Sequence, residues 1–307
     1  MRIREIDERE LAAWVEVAAA AGPGADTEEG YLDWKRQAPR TVWLLAGENG
    51  EAIGAGRLTP GWHTPPGAAL ADVRVAPGAR RRGVGTALLE ELKRRADGLG
   101  TPQLEGEVRD DDAGSLAWAE GLGFREVGRS TRLQLRLADV EEPAVDPPAG
   151  VEITTWAERP DLARGIYEVA CEAYPDEPGS AENELEPFER WLAQDMQGAG
   201  DRPEAVFVAL LDGEVVGYAK LAVSLARPGL VMHDMTGVRR AWRGRGIAGA
   251  LKRAEVAWAK REGVEVLETR NHERNAPIRA LNERHGYRPG PGEIVLRRAR
   301  RPAPSTG

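Results

Sequence analysis

The sequence predicts a mixed α and β protein built from two copies of one domain in tandem. Three observations carry this prediction: an internal repeat at constant spacing, strands that cluster before a glycine-rich turn, and helices that alternate with strands after it. The chain has 307 residues, which is enough for two domains that each bury a core.

The repeat is visible when the chain is compared with itself. The stretch RRAWRGRGIAGALK from Arg239 is similar to ARRRGVGTALLEELK from Ala79, and Gly246 lies 163 positions after Gly83. The same offset, without a gap, joins other pairs: Gly54 with Gly217, Leu58 with Leu221, Val75 with Val238, Gly100 with Gly263, Glu105 with Glu268 and Phe124 with Tyr287. One copy every 163 residues indicates two homologous domains and not a solenoid of short repeats.

Local patterns predict the domain limits and the elements. Residues 138–150, ADVEEPAVDPPAG, are acidic and proline-rich, so we predict a linker between domains at 1–137 and 151–300. In the second copy, Asp212-Gly213 predicts a hairpin turn. The predicted strands are 151–155, 206–211, 214–223, 230–238, 264–269 and one near Ile294; the predicted helices are 160–172, 184–196, 246–261 and 276–284.

Composition excludes several classes of protein. The chain is 41% hydrophobic and 30% charged, and no apolar run reaches the roughly 18 residues of a membrane span. The charged N-terminus MRIREIDERE lacks a signal peptide, so we expect a cytoplasmic protein, as a monomer or homodimer. A formal charge of -8 disfavours nucleic-acid binding. One cysteine and four scattered histidines predict neither a disulfide nor a metal site.

The glycine-rich turn between a strand and a helix predicts a phosphate-binding site in each copy. The first N–H groups of a helix are unpaired at its positive end, glycines permit close approach, and arginines add charged donors. Gly244 to Gly249 also matches G-x-G-x-x-G with Glu268 about 20 residues later, which suggests a nicotinamide oxidoreductase. This alternative is weaker, because the upstream copy lacks the third glycine and the turn follows four predicted strands.

The shared spacing Arg-x-x-Gly-x-Gly/Ala, at Arg80 and at Arg243, resembles the acyl-CoA pyrophosphate loop of the GNAT superfamily of N-acetyltransferases. Residues 271–287, NHERNAPIRALNERHGY, resemble that family's Asn…Asn…Ala-Leu-Tyr-x-x-x-Gly-Phe pattern, and 116–124, LAWAEGLGF, resembles its end. The resemblance covers nearly the whole chain. It implies two tandem GNAT folds, each an α+β domain with a twisted, mostly antiparallel sheet flanked by helices.

The resemblance implies that a primary amine of a small molecule attacks acetyl-CoA directly, with no metal. The pantetheine arm would follow the fourth strand, and Asn275 would meet the pantetheine or the thiolate. The implied acetyl-CoA contacts are Thr236, Gly237, Val238, Arg243, Gly244, Arg245, Gly246, Ile247, Ala248, Gly249 and Asn275 in the second copy, and Val73, Arg74, Val75, Arg80, Arg81, Arg82, Gly83, Val84, Gly85 and Thr86 in the first.

The catalytic residues depart from the family pattern. The family's general-acid tyrosine falls on Asn282 and Ala119, so the CoA thiolate would leave unaided or take a proton from water. Tyr287 is expected to pack in the core. Asp234 is the first candidate for the base, because strand alternation would place it on the face of Thr236 and Val238, with His233 opposite. Glu268 is the second candidate.

The chemistry is predicted in the C-terminal domain. At the position of Asn275 the first copy has Asp112, which would repel a CoA phosphate or thiolate. The segment 174–190 is rich in acids that would attract a cationic amine if they line the cleft: Asp176, Glu177, Glu182, Glu184, Glu186 and Glu189. A solvated helix face is the other interpretation of these acids.

Two further alternatives remain at this point. The missing tyrosine is compatible with a non-catalytic acyl-CoA-binding sensor or scaffold. A mycothiol-synthase-like enzyme has the same tandem architecture but fits less well, because that enzyme's acidic residue falls near Met232 and its tyrosine falls on Asn282.

Overall fold

The computed structural model describes residues 1–22, 24–61, 64–176 and 185–298, which form two compact units. Unit 1 contains Met1–Arg129 together with Glu293–Arg298, and unit 2 contains Ser130–Gly292. Within these described ranges, no helix is long and apolar enough to cross a membrane.

The described residues form thirteen strands and eight α-helices. The strands are β1 (Arg2–Glu5), β2 (Val42–Glu48), β3 (Glu51–Pro60), β4 (Ala68–Val75), β5 (Gln103–Arg109), β6 (Arg125–Arg136), β7 (Val151–Thr155), β8 (Asp201–Leu211), β9 (Glu214–Val223), β10 (Leu230–Val238), β11 (Val266–His272), β12 (Arg288–Pro289) and β13 (Glu293–Arg298). The helices are α1 (Leu11–Ala21), α2 (Glu28–Gln37), α3 (Val84–Gly98), α4 (Ala113–Gly121), α5 (Ala163–Ala173), α6 (Phe188–Asp195), α7 (Ile247–Arg261) and α8 (Ala276–Arg284).

The two units share one sheet topology. In unit 1 the strand order is β1-β2-β3-β4-β5-β13, and in unit 2 it is β7-β8-β9-β10-β11-β6, with β12 paired to β6. The pairs β4–β5 and β10–β11 are parallel, whereas the other pairs are antiparallel. This arrangement confirms the predicted α+β fold with a mostly antiparallel sheet in each copy.

Side-chain alternation along the strands builds a helical layer on each face of the sheet. In β2, Trp43 and Leu45 pack with α1 and α2, while Leu44 and Ala46 pack with α3 and α4. Unit 2 repeats this division, with α5 and α6 on one face and α7 on the other. A Cβ at Gly54 would lie 2.8 Å from Val84, so glycine lets α3 approach β3 closely.

Most predicted elements are confirmed. The structure has the strands at 151–155, 214–223 and 230–238 and the helix at 276–284 with the predicted bounds. The strand expected at 206–211 begins five residues earlier, at Asp201, and the strand expected at 264–269 is β11. The helix expected over 160–172 starts with a 3-10 turn at Pro160–Leu162. Residue 184, the expected start of the next helix, lies outside the described residues.

The last strand differs from the prediction in its partner. We expected the strand near Ile294 to complete the C-terminal domain, but β13 pairs with β5 and buries Ile294 and Leu296 in the unit 1 core. Residues Ser130–Arg136 of β6 take the equivalent place beside β11 in unit 2. The predicted linker at 138–150 therefore lies inside unit 2, because local sequence identifies a strand but not its neighbour.

We expect Leu296→Ala to lower the free energy of unfolding by about 2–5 kcal/mol, because it leaves a cavity in the unit 1 core. Amide hydrogen exchange should show the loss of protection in β5 and its neighbours. The control is Val127→Ala, at a side chain 41% exposed, which should change stability by less than about 0.5 kcal/mol. Loss of protection confined to unit 2 would contradict the strand assignment.

Candidate active site

The parallel strand pair of each unit separates partway along its length. Strands β10 and β11 pair from Leu230 with Val266 to Met232 with Glu268, and beyond this point β10 follows β9 while β11 follows β6. We call the space beyond this last pair the unit 2 gap. In unit 1, β4 and β5 separate in the same way after Leu70. Such a split presents unpaired backbone edges to which an extended ligand can bind.

A β-bulge distinguishes the gap of unit 2 from that of unit 1. The register of β10 with β9 shifts between His233 and Met235, so Asp234 is the extra residue in the described ladder. The described ladder of β3 with β4 runs through the equivalent region without a shift. The bulge lies at the closed end of the unit 2 gap, where it changes the direction of backbone and side chains.

The bulge corrects the predicted side-chain directions. Alternation predicted one face for Asp234, Thr236 and Val238, but Thr236 lies opposite Ala219 on the α7 face. The Asp234 carboxylate instead contacts Lys220, on the face that carries α5 and α6. The predicted opposite orientation of His233 and Asp234 is retained, because His233 is buried against α7.

The glycine-rich turns leave the first amides of α7 and α3 exposed to a ligand. Gly246 precedes α7 with φ 87°, and its carbonyl accepts the N–H of Ala250 at 3.1 Å. The N–H groups of residues 247–249 therefore precede the first helical hydrogen bond. Gly83 repeats this geometry before α3, with φ 82° and a 3.0 Å bond from Ala87. Each helix start thus has the backbone of an anion site.

The first arginine of each motif braces the turn itself. The Arg243 guanidinium donates to the Val238 carbonyl at 2.9 Å, and Arg80 donates to the Val75 carbonyl at 3.2 Å. Arg243 also lies 2.7 Å from a carboxylate oxygen of Asp176. Through these contacts the Arg243 and Arg80 side chains stabilise their own turns. The sequence alone had predicted them as donors to the ligand.

The other arginines of the two turns differ in their contacts. Arg245 lies over the ring of Trp242, 4.4 Å from its centroid, and remains exposed beside the helix start. Arg82 is paired with Glu48, and Arg81 is exposed with φ 61°. Among the described residues, neither Arg245 nor Arg81 has an acidic partner, so these two turn arginines are the ones available to an anionic ligand.

Strand residues predicted to line the unit 1 gap divide between the two faces. Val73 and Val75 pack toward α3, as expected. Arg74 lies opposite Ala55, whose methyl group packs with α1, and its Nε is 2.9 Å from Asp72. The Arg74 side chain therefore faces away from α3, and its backbone is what borders the gap. At the equivalent position of unit 2, a Cβ added to Gly237 would lie 3.0 Å from Ala173 of α5, so this position also points away from α7.

A buried lysine organises the α5 and α6 face of unit 2. Lys220 Nζ lies 2.8 Å from both Asp201 and Asp234 and also donates to the backbone carbonyl of Asp195. Burial alone would lower the pKa of Lys220, but the two carboxylates outweigh it and raise that pKa. Burial raises the pKa of the Asp195 carboxyl to about 6. Sequence reasoning missed Asp195, which lies at the end of α6.

Unit 1 has a similar ion pair at the corresponding positions. Arg57, located 163 positions before Lys220, lies 3.6 Å from Asp72 of β4. Its guanidinium stacks on Trp34 at 4.1 Å from the ring centroid. A buried cation on the third strand paired with an acid on the fourth is therefore common to both copies.

Glu268, the second candidate base, is buried in a structural contact. Its carboxylate lies 2.5 Å from Gln134 and 3.4 Å from Arg132, both on β6, and its residue is 2% exposed. In unit 1 the equivalent Glu105 lies 2.5 Å from Arg297 on β13. Both glutamates thus fasten the last strand of their sheet, an arrangement that does not favour proton transfer from an amine.

The start of the helix after the fifth strand also differs between the copies. Asp112 caps α4, with its carboxylate accepting the Ser115 N–H at 2.9 Å. Asn275 precedes α8, but its side chain makes no capping bond to that described helix. Asn282, at the position of the family's tyrosine, is buried and donates to Asn271 at 2.8 Å. Asn275 therefore keeps amide donors that the equivalent aspartate lacks.

The structure describes part of the acidic segment. Arg240 and Arg243 bind Asp176, and their hydrogen bonds lower the pKa of its carboxyl to about 2. Glu186 lies 3.7 Å from Arg190. Trp191 is buried in the core, whereas residues Glu177, Glu182 and Glu184 lie outside the described residues. Asp176 thus supports the turn, and the expectation that these acids line a cleft stays a prediction.

The chain belongs to the acetyltransferase (GNAT) family, whose model matches residues 5–124 and 163–287. The two matches cover one copy of the repeat each. This result identifies the protein as a tandem GNAT acyltransferase, an enzyme class that uses acyl-CoA as its co-substrate. The antiparallel sheet and this assignment also make the nicotinamide interpretation of G-x-G-x-x-G wrong.

Curated relatives support the same class. The chain is 33% identical over 189 residues to a mycothiol acetyltransferase of Thermomonospora curvata, covering 59% of this chain and 58% of that one. It is 30% identical over 219 residues to a mycothiol acetyltransferase of Mycolicibacterium vanbaalenii, covering 69% and 66%. The matched regions thus span less than two thirds of the length of these relatives.

Solved structures share the fold over nearly the whole chain. A GCN5-related N-acetyltransferase from Sphaerobacter thermophilus superposes with a TM-score of 0.76 at 25% identity, covering 98% of this chain and 96% of that one. A tandem GNAT protein from the clavulanic acid biosynthesis pathway has a TM-score of 0.79 at 23% identity, covering 98% and 99%. The tandem arrangement predicted from the repeat is therefore confirmed.

We expect Asp195→Asn to stabilise the protein at neutral pH. Because the folded state binds the Asp195 proton more tightly than the unfolded state, the free energy of unfolding falls as pH rises from about 4 to about 6. The amide removes this cost, so stability above pH 6 should rise by about 1–3 kcal/mol. Denaturant unfolding at pH 7.5 and pH 4 checks this, and an equal gain at both values would contradict it.

Proposed function

We propose that the protein is an acetyl-CoA-dependent N-acetyltransferase that acts on the primary amine of a small molecule, with its chemistry in unit 2. The observation that carries this proposal is the bulge at Asp234, placed at the closed end of a strand gap whose open end leads to the glycine turn before α7. From its open end to its closed end, the gap therefore offers an anion site, an extended backbone edge and a reoriented backbone segment.

The donor would bind along this line. Amides of residues 247–249 and the exposed Arg245 suit the pyrophosphate, and the edge of β10 from Thr236 to Val238 suits the pantetheine amides. We assign the equivalent residues of unit 1, from Val73 to Thr86, to a second acyl-CoA site. Acetyl-CoA is the proposed donor because acyl-CoA use is general to the family and its named relatives are acetyltransferases.

The reaction needs a polarised carbonyl and a base. The bulge takes backbone groups of β10 out of the ladder, and an N–H there would stabilise the oxyanion formed when the amine attacks the thioester. The new C–N bond then replaces the C–S bond. Asp234 is the proposed base, since half of its side chain is exposed at the bulge. Asp195, with a pKa of about 6, is the second candidate.

Three differences between the copies favour catalysis in unit 2. Of the two equivalent strands β4 and β10, the described ladders with the preceding strand show a bulge in β10 and none in β4. Asn275 also replaces the capping Asp112. In unit 1, Trp118 of α4 also donates to the Thr86 hydroxyl at 3.2 Å, which places an indole ring beside the first turn of α3. These features suit unit 1 for binding without turnover.

The carboxylates around Lys220 favour a cationic acceptor. Asp195, Asp201 and Asp234 outnumber the single lysine at this face, so an additional ammonium group would improve the charge balance. The unacetylated form of mycothiol is the second candidate acceptor, favoured by the names of the curated relatives. Both candidates share the amine and differ in the rest of the acceptor.

Calorimetric titration with acetyl-CoA tests the donor sites. Gly246→Glu places an anion in the unit 2 turn and should abolish that site and the activity, whereas Gly83→Glu should remove the unit 1 site and leave turnover intact. Gly263→Glu is the matched control, because Gly263 also has positive φ and follows α7 instead of preceding it, with nothing within 4 Å of an added Cβ. Full binding by the Gly246→Glu variant would refute the assignment.

Thiol release in the presence of an amine panel tests the base. We expect Asp234→Asn to lower kcat by roughly 100-fold, within the usual range for general-base loss, while acetyl-CoA affinity stays unchanged. The panel includes polyamines, aminoglycosides, amino sugars and the unacetylated form of mycothiol. A larger loss in Asp195→Asn than in Asp234→Asn would transfer the role to Asp195.

A further inference from the structure

Four buried polar side chains in unit 2 have no part in the function proposed so far. His233, Lys252, Glu255 and Tyr287 are each no more than 6% exposed and lie between the sheet and α7. We call these four residues the buried tetrad. Burying polar groups costs free energy, so the presence of the tetrad in an apolar core requires an explanation.

The tetrad is a connected network centred on His233. Its Nδ1 lies 3.0 Å from Glu255 Oε1, and its Nε2 is hydrogen-bonded to the Tyr287 hydroxyl. Lys252 Nζ lies 3.1 Å from His233 Nε2 and 3.8 Å from Glu255 Oε2. One carboxylate oxygen of the network, Glu255 Oε2, therefore accepts no hydrogen bond from the described residues.

The first copy shows that the fold does not need these polar groups. The residues 163 positions before Lys252, Glu255 and Tyr287 are Leu89, Leu92 and Phe124, and all three are buried in the unit 1 core. The place of His233 is taken by an apolar residue whether positions are matched by number, Leu70, or by strand register, Ala71. The equivalent helix, α3, packs on its sheet with apolar side chains at these positions.

The position of the tetrad connects it to the gap. His233 is the first residue of β10 beyond the last pair with β11, and it directly precedes the bulge residue Asp234. Lys252 and Glu255 lie on α7, the helix that begins at the glycine turn. The tetrad thus lies at the closed end of the gap, where the acyl end of an extended donor anchored at that turn would be.

The protonation of the tetrad is labile near neutral pH. Burial raises the pKa of Glu255 to about 8 and lowers that of Lys252 to about 8. Burial also keeps His233 neutral by lowering its pKa, and raises the pKa of Tyr287. His285, which follows α8, has its pKa lowered to about 4 by burial and stays neutral.

The other charged groups near the tetrad form contacts of their own or lie at the surface. Arg253 of α7 points to the backbone carbonyl of Asp146, and Arg284 of α8 is exposed. Glu268 of β11 is on the other face of the sheet, bound to β6. The Lys252–Glu255 pair is therefore the part of this core that exchanges a proton near pH 8.

We propose that the buried tetrad supplies the proton that the CoA thiolate accepts when the C–S bond breaks. The inference rests on the proposed acetyl transfer in unit 2. The amine nitrogen bonds to the carbonyl carbon and the C–S electron pair stays on sulfur. His233 takes a proton from the Lys252–Glu255 pair at Nδ1, and the Tyr287 hydroxyl bonded to its Nε2 passes a proton on to that sulfur. The proton lost by the amine leaves through the base to solvent, and solvent water reprotonates the pair.

This assignment explains why Asn282 stands where the family has its tyrosine. An amide cannot protonate a thiolate, whereas the tetrad lies between α7 and β10, at the closed end of the gap. We infer that a proton donor built into the core of unit 2 replaces one on α8.

The test replaces the proton store with the residues of unit 1. The double variant Lys252→Leu, Glu255→Leu removes both charges together, so the core stays neutral and apolar as it is around Leu89 and Leu92. We expect kcat to fall roughly 10-fold to 100-fold, KM for acetyl-CoA to stay within about 2-fold, and the alkaline fall of kcat above about pH 8 to disappear. Arg261→Leu, on the exposed end of α7, is the control and should change none of these.

A second variant guards against misfolding of the first. Glu255→Gln keeps the shape of the side chain but cannot exchange a proton, and it should also lose the alkaline limb. If both variants keep the kcat and the pH profile of the wild type, the inference is overturned and the proposed function is not. A wild type that binds acetyl-CoA yet acetylates no amine would overturn the proposed function and the inference with it.

Discussion

The short parallel pairing of the fourth and fifth strands is the constraint on which the rest of each unit depends. In unit 2 it ends at Met232 and Glu268, and everything placed at the candidate site follows from the space that opens there. The helix α7 returns over this space, so its first turn faces the open end while its middle covers the closed end. The glutamate at the end of the fifth strand then fastens the next strand, β6 in unit 2 and β13 in unit 1.

Because the protein contains two copies of one domain, each copy can be compared with the other. Features that the two copies share, such as the glycine turn, the arginine that braces it and the glutamate that holds the last strand, belong to the fold. Features confined to one copy point to function, and in unit 2 these are the bulge at Asp234 and the buried tetrad around His233. The unit 1 core packs leucine and phenylalanine at the equivalent positions, so the fold does not require these polar groups, and this supports a functional role for them.

The sequence predicted what depends on local pattern and on the repeat. The family followed from the resemblance of the glycine-rich turns and of residues 271–287 to GNAT motifs. The tandem arrangement followed from the repeat, and the bounds of β10 and α8 from local pattern. It could not predict the partner of β13, because pairing is a tertiary choice, nor the faces of β10, because one extra residue at Asp234 breaks the alternation. The clustering of Lys252 and Glu255 with His233 was likewise hidden, although their three-residue spacing on a helix was a signal.

Amide hydrogen exchange of the wild-type protein with and without acetyl-CoA tests the central claim most directly. If the donor lies in the unit 2 gap with its pyrophosphate at the glycine turn, amides of residues 235–238 and 247–249 should gain protection together at saturating acetyl-CoA. The amides of Leu281 and Arg284 in α8, which form helical bonds already, serve as the internal reference. Protection confined to unit 1, or none at either turn, would contradict the account.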